Sequence, residues 1–310
     1  MSDAIIRAEA ILRAACGDRV RTRFAMAPLT TFRIGGPAAL FLELESESDL
    51  VAAGRAVVET DLPVIVVGKG SNILVSDAGF PGLVLRLGKG FRWAARAGQE
   101  ISAGGSMPLP ALAGIAARHG LSGIEFGVAI PATFGGAVRM NAGAHGREMA
   151  TVLERVDVFV LREGEIVRIA AVDAGFAYRR STLPEDAVVI GATVVLEPGE
   201  VGAIRELMDE AREWRRRTQP LAEPNCGSVF KNPEHAHAAT LIEQAGLKGR
   251  SVGRASISRK HDNFIVAEPG AKAADVVTLI GQVRQLVREQ TGILLEPEVH
   301  LVGEVDRAAL

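Results

Sequence analysis

Short apolar runs punctuate the chain. Leu62 to Val67, Leu83 to Leu87, Val156 to Leu161 and Val188 to Leu196 are rich in β-branched residues and too short for helices, so they read as buried strands. Between them the apolar positions fall three and four apart. Leu50, Ala53 and Val57 mark one helix, with Ser46 or Ser48 as its cap. Met107 to His119 is a second, with Gly120 as its C-terminal stop. Ile204, Leu207, Met208 and Ala211 make a helical stripe, and Val276, Ile280, Val283 and Val287 make another that stops near Gly292. Ile5, Leu12 and Ala15 suit an amphipathic N-terminal helix. Helices and strands mix without a clean βαβ alternation, which predicts an α+β protein with several sheets. Strand-rich sequence gives way to a long helix near Pro198 to Val201, and a domain boundary is expected there.

Composition narrows the function classes. A length of 310 residues suits two or three domains. A net charge of −2 supplies no global field for nucleic acid or membrane. Cys16 and Cys226 are too few for a disulfide framework and fit a reducing cytosol. The longest apolar runs cannot span a bilayer, and the N-terminal segment lacks the long apolar core of a signal peptide. No His/Cys/Asp cluster has zinc spacing, so no metal is expected. Arg215-Arg216-Arg217 closes a helix, where cations offset the C-terminal dipole.

The candidate chemistry is dispersed. Gly68-Lys69-Gly70-Ser71-Asn72 follows a predicted strand and can cradle phosphate with backbone N–H groups. Taken alone it reads first as a turn into the strand Ile73-Leu74-Val75, and it is not a Rossmann fingerprint. From Gly127 to Gly146, glycine and alanine recur outside any helical or strand period, which lets a flat or charged ligand lie on main chain. A structural crossover is the alternative. Arg179 beside the lone Tyr178 can clamp a carboxylate or phosphate, or simply sit on the surface. Glu296 and Glu298 share one face of an extended segment, as acid, base or solvated edge. Asn225 to Pro233 sets a hydroxyl, a cation and two amides into nine residues, either a polar turn or a site. Lys231 is three residues past Ser228 and points to the opposite face of a regular strand. His145 alone reads as a packed or solvated histidine, and Cys226 has no histidine near it in sequence.

In this order, these segments resemble the UDP-N-acetylenolpyruvoylglucosamine reductase (MurB) family, in its shorter, type II form. The resemblance runs from Thr30-Thr31-Phe32-Arg33-Ile34-Gly35-Gly36-Pro37 to Gly303, through Leu241 to Gly249 and Ser258 to Val266. It implies an FAD-binding fold of the vanillyl-alcohol oxidase (PCMH) type in two subdomains, residues 1–88 and 89–200. An α+β substrate domain at 201–310 would follow, its last residues returning to the first subdomain. It implies FAD held by Gly68, Lys69, Gly70, Ser71 and Asn72, and by Ile130, Pro131, Thr133, Gly135, Gly136, Ala137, Asn141, Ala142 and Gly143.

The resemblance also implies that NADPH reduces the flavin, which then reduces the enolpyruvyl ether of UDP-N-acetylglucosamine. Ser228 matches the proton donor, and Arg179 and Glu298 match the other two active-site positions. Beside an enolate, Glu298 would act protonated or through a hydrogen bond. Tyr178, Lys231 and Asn232 are expected substrate contacts, and Lys248, Arg254, His261 and Asn263 are further candidates. The expected protein is a cytoplasmic monomer that binds neither nucleic acid nor membrane. Ala132, Arg139, His145 and Asp262 depart from the family pattern. An FAD-dependent oxidase of the same fold, or a non-catalytic flavin or sugar-nucleotide regulator, are the alternatives.

Overall fold

The computed structural model describes residues 2–306, which divide into two compact units. The first comprises residues 1–22, 39–69 and 82–215, and the second residues 23–38, 70–81 and 216–310. The expected cuts at 88/89 and 200/201 are not where these units divide. The physical reason lies in the second core. Phe32, Ile34 and Leu74 are buried there among C-terminal side chains such as Val229, Phe230, Ile280 and Leu295. Early sequence thus belongs to a late core. The strand His300–Val302 likewise pairs, in parallel, with Ile73–Val75.

The first unit contains two cores. One gathers Leu12, Leu40, Leu42, Leu50, Leu83 and Leu85, all fully or nearly fully buried. It belongs to a sheet ordered Arg21–Ala25, Pro37–Leu44, Phe80–Leu87, Val64–Val66. The other lies on an antiparallel sheet ordered Glu165–Ala170, Leu153–Val160, Ala187–Val195, Glu100–Gly104, Ala94–Ala97. Helix Leu109–Arg118 buries Leu109, Leu112, Ala113 and Ala116 in that core, as its i, i+3, i+4, i+7 spacing requires. Helix Val201–Thr218 buries Ile204, Met208 and Ala211 but leaves Leu207 exposed, so the predicted stripe is one residue too wide. The N-terminal helix Asp3–Cys16 presents Ile5, Ala8, Leu12 and Cys16, and Ala15 faces solvent. Ser46 stands at the cap of Glu47–Thr60 without a side-chain cap bond.

Asp49, in the first turn of that helix, is 3% exposed. It receives both arms of the Arg19 guanidinium at 2.6 Å, and the Glu45 N–H at 2.7 Å. The Arg19 hydrogen bonds hold its carboxyl down to about 2, below the usual carboxylate range. A depressed carboxyl stabilises the fold above its unfolded pKa, and that contribution is lost as pH falls through the folded value. Asp49→Asn should therefore cost about 1–2 kcal/mol near neutral pH. The difference from wild type should close between about pH 4 and 2, as urea midpoints measured along that range would show.

In the second unit, helix Ala273–Thr291 buries Val276, Ile280, Val283 and Val287, as its stripe predicts. Its first turn is capped from far away. Asp77 accepts the N–H groups of Ala273 and Ala274 at 2.9 and 3.1 Å. These donors are among those that a helix start leaves unpaired. A small sheet, Ser251–Val252, Ala255–Ile257, Ile265–Ala267, completes this unit.

Candidate active site

The predicted site residues fall into two groups, one in each unit. In the first unit, Gly68 lies directly against Thr133, and a Cβ at Gly68 would run into the threonine hydroxyl. Gly68 and the Gly-rich stretch after Ile130, far apart in sequence, therefore meet there. The loop 68–72 is no hairpin. Val64–Val66 before it pairs with Phe80–Leu87, whereas Ile73–Val75 after it pairs with His300–Val302. Thr133 Oγ1 accepts the Gly136 N–H at 3.3 Å and caps the short helix Phe134–Arg139. A Cβ on Gly135 would stand 2.8 Å from Val189 O, so this helix rests on the central strand of the antiparallel sheet. Close main-chain approach of two glycine-bearing segments suits a flat, diphosphate-bearing cofactor held by backbone groups. The residues present thus fit FAD.

Asn141 is fully buried, with a positive φ of 42°. Its Nδ2 donates to Ala177 O at 3.0 Å and its Oδ1 accepts the Ala150 N–H at 2.9 Å. Both ends of its amide are engaged with protein, so its side chain ties the Gly-rich stretch to the Tyr178-Arg179 turn. Ala177 and Arg180 exchange two backbone hydrogen bonds of 3.1 Å, which leaves Tyr178 and Arg179 at the tip. Arg179 has φ +57°. Its Nη2 donates to Gly143 O at 3.0 Å and its guanidinium lies 4.8 Å from the Tyr178 ring centroid. A tethered, stacked guanidinium is oriented before any ligand arrives. Arg139, the odd cation of the Gly-rich stretch, is a structural clamp that donates to the carbonyls of Leu183, Pro184 and Ala187. His145 is exposed at the turn after Gly143–Ala144 and packs edge-on against Trp214 at 5.2 Å.

In the second unit, Ser228 follows Gly227, which has φ +79°. That left-handed conformation suits glycine and turns the chain sharply before the serine. The segment then runs extended but forms no named strand; Phe230 bridges Pro297 antiparallel. Glu298 N–H donates to Val229 O at 2.7 Å, and Lys231 N–H to Glu296 O at 2.9 Å. Ser228 and Glu298, distant in sequence, thus lie on adjacent paired segments. Gly70 approaches Leu29 so closely that a Cβ would meet its carbonyl. Ser71 O lies 3.9 Å from where a Gly227 Cβ would be. Asn72 Nδ2 donates to Glu298 O at 3.2 Å, and Asn72 O accepts the His300 N–H at 3.0 Å. The Asn72 side chain therefore holds the glutamate's backbone, a role that the cofactor expectation does not contain.

The choice between the two glutamates also has a physical basis. Glu296 pairs with Lys231 at 2.6 Å and is mostly exposed. Such a pair is worth at most about 1 kcal/mol, so a ligand anion can compete for the lysine. Asn232 Oδ1 accepts the Ala238 N–H at 3.0 Å and caps helix Ala238–Gln244. Cys226 is buried, and desolvation followed by the nearby Glu298 pushes its thiol well above the usual range. It is no nucleophile.

Among the further candidates, Lys248 pairs with Asp262 and Glu243, and Arg254 donates to Pro269 O. His261 Nδ1 accepts the Asn263 N–H at 3.2 Å, and burial lowers its pKa. Asn263 is 4% exposed, and each end of its amide bonds the Phe230 backbone. Among the described residues, no group of three or more His, Cys, Asp or Glu is placed to hold a metal ion, and no helix is long and apolar enough to cross a membrane.

Known proteins match both parts of the chain. A family model described as UDP-N-acetylenolpyruvoylglucosamine reductase, C-terminal domain, matches residues 219–302, and one described as FAD binding domain matches residues 38–170. UDP-N-acetylenolpyruvoylglucosamine reductase 2 of Symbiobacterium thermophilum is 44% identical over 286 residues, 92% of each chain. The crystal structure of UDP-N-acetylenolpyruvylglucosamine reductase from Thermus caldophilus matches with TM-score 0.79 and 37% identity, over 91% of this chain and 98% of that one. Wild-type Phl p 4.0202, a glucose dehydrogenase, shares the fold alone, with TM-score 0.51 and 11% identity over 70% of this chain and 50% of its own. The fold is thus the α+β FAD-binding fold of the vanillyl-alcohol oxidase type with a C-terminal reductase domain. The chain belongs to the UDP-N-acetylenolpyruvoylglucosamine reductase (MurB) family.

Proposed function

We propose that Ser228, Arg179 and Glu298 carry the chemistry by which this chain reduces the enolpyruvyl group of UDP-N-acetylglucosamine enolpyruvate to give UDP-N-acetylmuramate. Family membership makes the chain an FAD-dependent oxidoreductase of peptidoglycan precursor synthesis, with NADPH as reductant. The observation that carries the residue assignment is the pairing of the Ser228 and Glu298 segments through the 2.7 Å bond from Glu298 N–H to Val229 O.

Gly68 to Asn72 and Ile130 to Gly143 would hold FAD chiefly through backbone groups. When bound, FAD would supply the hydride chemistry that links NADPH to C3 of the enolpyruvyl group. Negative charge then develops on the substrate's carboxylate oxygens. Arg179 meets that charge with a planar fork that stays protonated. Its tether to Gly143 O reduces the reorganisation needed at that moment. Ser228 delivers the proton to C2, a task open to a hydroxyl because the enolate is a strong base. An ionised carboxylate beside the enolate would raise the barrier, so Glu298 acts protonated or through a hydrogen bond. Tyr178 and Lys231 contact the substrate. Asn232 does so only with whatever its capping bond to Ala238 leaves over.

The test uses the purified yellow protein. NADPH consumption should depend on the enolpyruvyl UDP-sugar and match UDP-N-acetylmuramate formed, mole for mole. Consumption of oxygen in its place would identify an oxidase of the same fold. We also read the enzyme as a monomer of the cytoplasm; two buried cysteines outside any disulfide support the compartment. Sedimentation at 32.7 kDa checks the monomer.

A further inference from the structure

Ser228 lies where regular structure is thin. No named strand covers it, and Phe230 meets Pro297 only as an isolated bridge. Yet a group that hands a proton to one carbon must be held closely, since a misplacement of ~1 Å can cost ~10²-fold in rate. Backbone bonds to Glu296, Glu298 and Asn263 hold this stretch, and one side chain adds two more at Phe230. Asn263 Oδ1 accepts the Phe230 N–H at 2.9 Å, and Asn263 Nδ2 donates to Phe230 O at 2.8 Å. The Asn263 backbone O accepts the Val229 N–H at 2.9 Å. On the other side of the serine, Asn225 Oδ1 accepts the Gly227 N–H at 2.9 Å.

A primary amide presents the same donor and acceptor as a peptide group. Asn263 therefore does for Phe230 what a neighbouring strand would do. It is 4% exposed, and its own turn is fixed by His261, whose Nδ1 accepts the Asn263 N–H and whose O accepts the Phe264 N–H at 3.0 Å. We infer that Asn263 is a positioning residue for proton delivery, its side-chain amide setting the register of the Ser228 segment against that of Glu298. The inference rests on the reading of Ser228 as proton donor.

The chemistry of the amide supplies a test that mere destabilisation would not pass. Asn263→Asp keeps the shape. Ionised, its carboxylate cannot donate to Phe230 O and repels it. Protonated, it has one O–H donor and one C=O acceptor, and the wild-type pattern returns. Burial and the facing carbonyl raise the pKa of such a carboxyl, so the recovery falls in a usable pH range.

The protein, loaded with FAD, is bleached anaerobically by NADPH and then recoloured by the enolpyruvyl UDP-sugar, and the two rates are followed separately from pH 8 to pH 5 (about the range of the expected titration). Asn263→Asp should bleach within about twofold of wild type. At the alkaline end it should recolour ~10–100-fold more slowly, recovering relative to wild type as pH falls. Asn263→Ala should not recover. Hydrogen exchange at the Phe230 amide should be fast in Asn263→Ala, fast in Asn263→Asp only at high pH, and slow in wild type.

Equal loss in both half-reactions, or recolouring that stays normal while the Phe230 amide exchanges freely, would overturn the inference. If no Asn263 variant folds, Asn225→Ala carries the test. It should slow recolouring ~10-fold with bleaching unchanged, and normal recolouring there would count against positioning by these amides. A Ser228→Ala protein that recolours normally would instead refute the reading of Ser228 itself.

Discussion

Ser228→Ala protein should still be bleached by NADPH at close to the wild-type rate, but its recolouring by the enolpyruvyl UDP-sugar should slow by ~10²–10⁴-fold, the usual loss on removing an acid catalyst. The asymmetry follows from the proposed role. Reduction by NADPH leaves no substrate carbon to protonate, whereas reduction of the sugar does. The substitution should cost little stability, because the bonds that hold the segment come from backbone and from Asn263, not from the Ser228 hydroxyl. Stopped-flow traces resolve the two phases. Equal rates in both for mutant and wild type would remove Ser228 from the mechanism.

Arg179→Lys should lose ~10²–10³-fold in the same second half-reaction, comparable to losing one preorganised donor at a developing anion. Charge is conserved, so a purely Coulombic role would predict a mild effect. The expected loss is geometric. Lysine has no planar fork for a carboxylate, cannot lie over the Tyr178 ring as a guanidinium does, and does not reproduce the 3.0 Å tether to Gly143 O. Single-turnover rates at saturating sugar separate this effect from weaker binding. A lysine variant within about twofold of wild type would show that charge alone suffices.

Much of the fold was legible because burial imposes periodicity. The stripe Val276, Ile280, Val283, Val287 is buried as read, and the run Val188 to Leu196 became the strand Ala187–Val195 at the centre of its sheet. The membership of the C-terminal core was harder to read. Phe32, Ile34 and Leu74 carry no mark in sequence that says their core is C-terminal, since a contact between distant segments leaves no local pattern.

The candidate site shows the same split. The resemblance named Ser228, Arg179 and Glu298, and the structure pairs the segments of the first and last. The structural bonds of the asparagines near those segments were not read from the sequence. Asn72 was expected at the cofactor and is bonded to Glu298 O; Asn141 was expected there too and joins Ala150 to Ala177. Asn263 was open between a substrate contact and a solvated surface residue, and it is bonded to Phe230. One signal was present for two of them. Asn72 and Asn263 each stand at the head of an apolar run, Ile73-Leu74-Val75 and Phe264-Ile265-Val266. A buried amide must find partners for both ends, so an asparagine there is as much a clamp as a ligand contact.

The most direct test of the account is an anaerobic titration of the wild-type protein after one equivalent of NADPH has bleached it. Adding the enolpyruvyl UDP-sugar should restore the yellow colour within the enzyme's turnover time and yield one UDP-N-acetylmuramate per flavin. A flavin that stays bleached with the sugar, yet recolours at once in air, would contradict it.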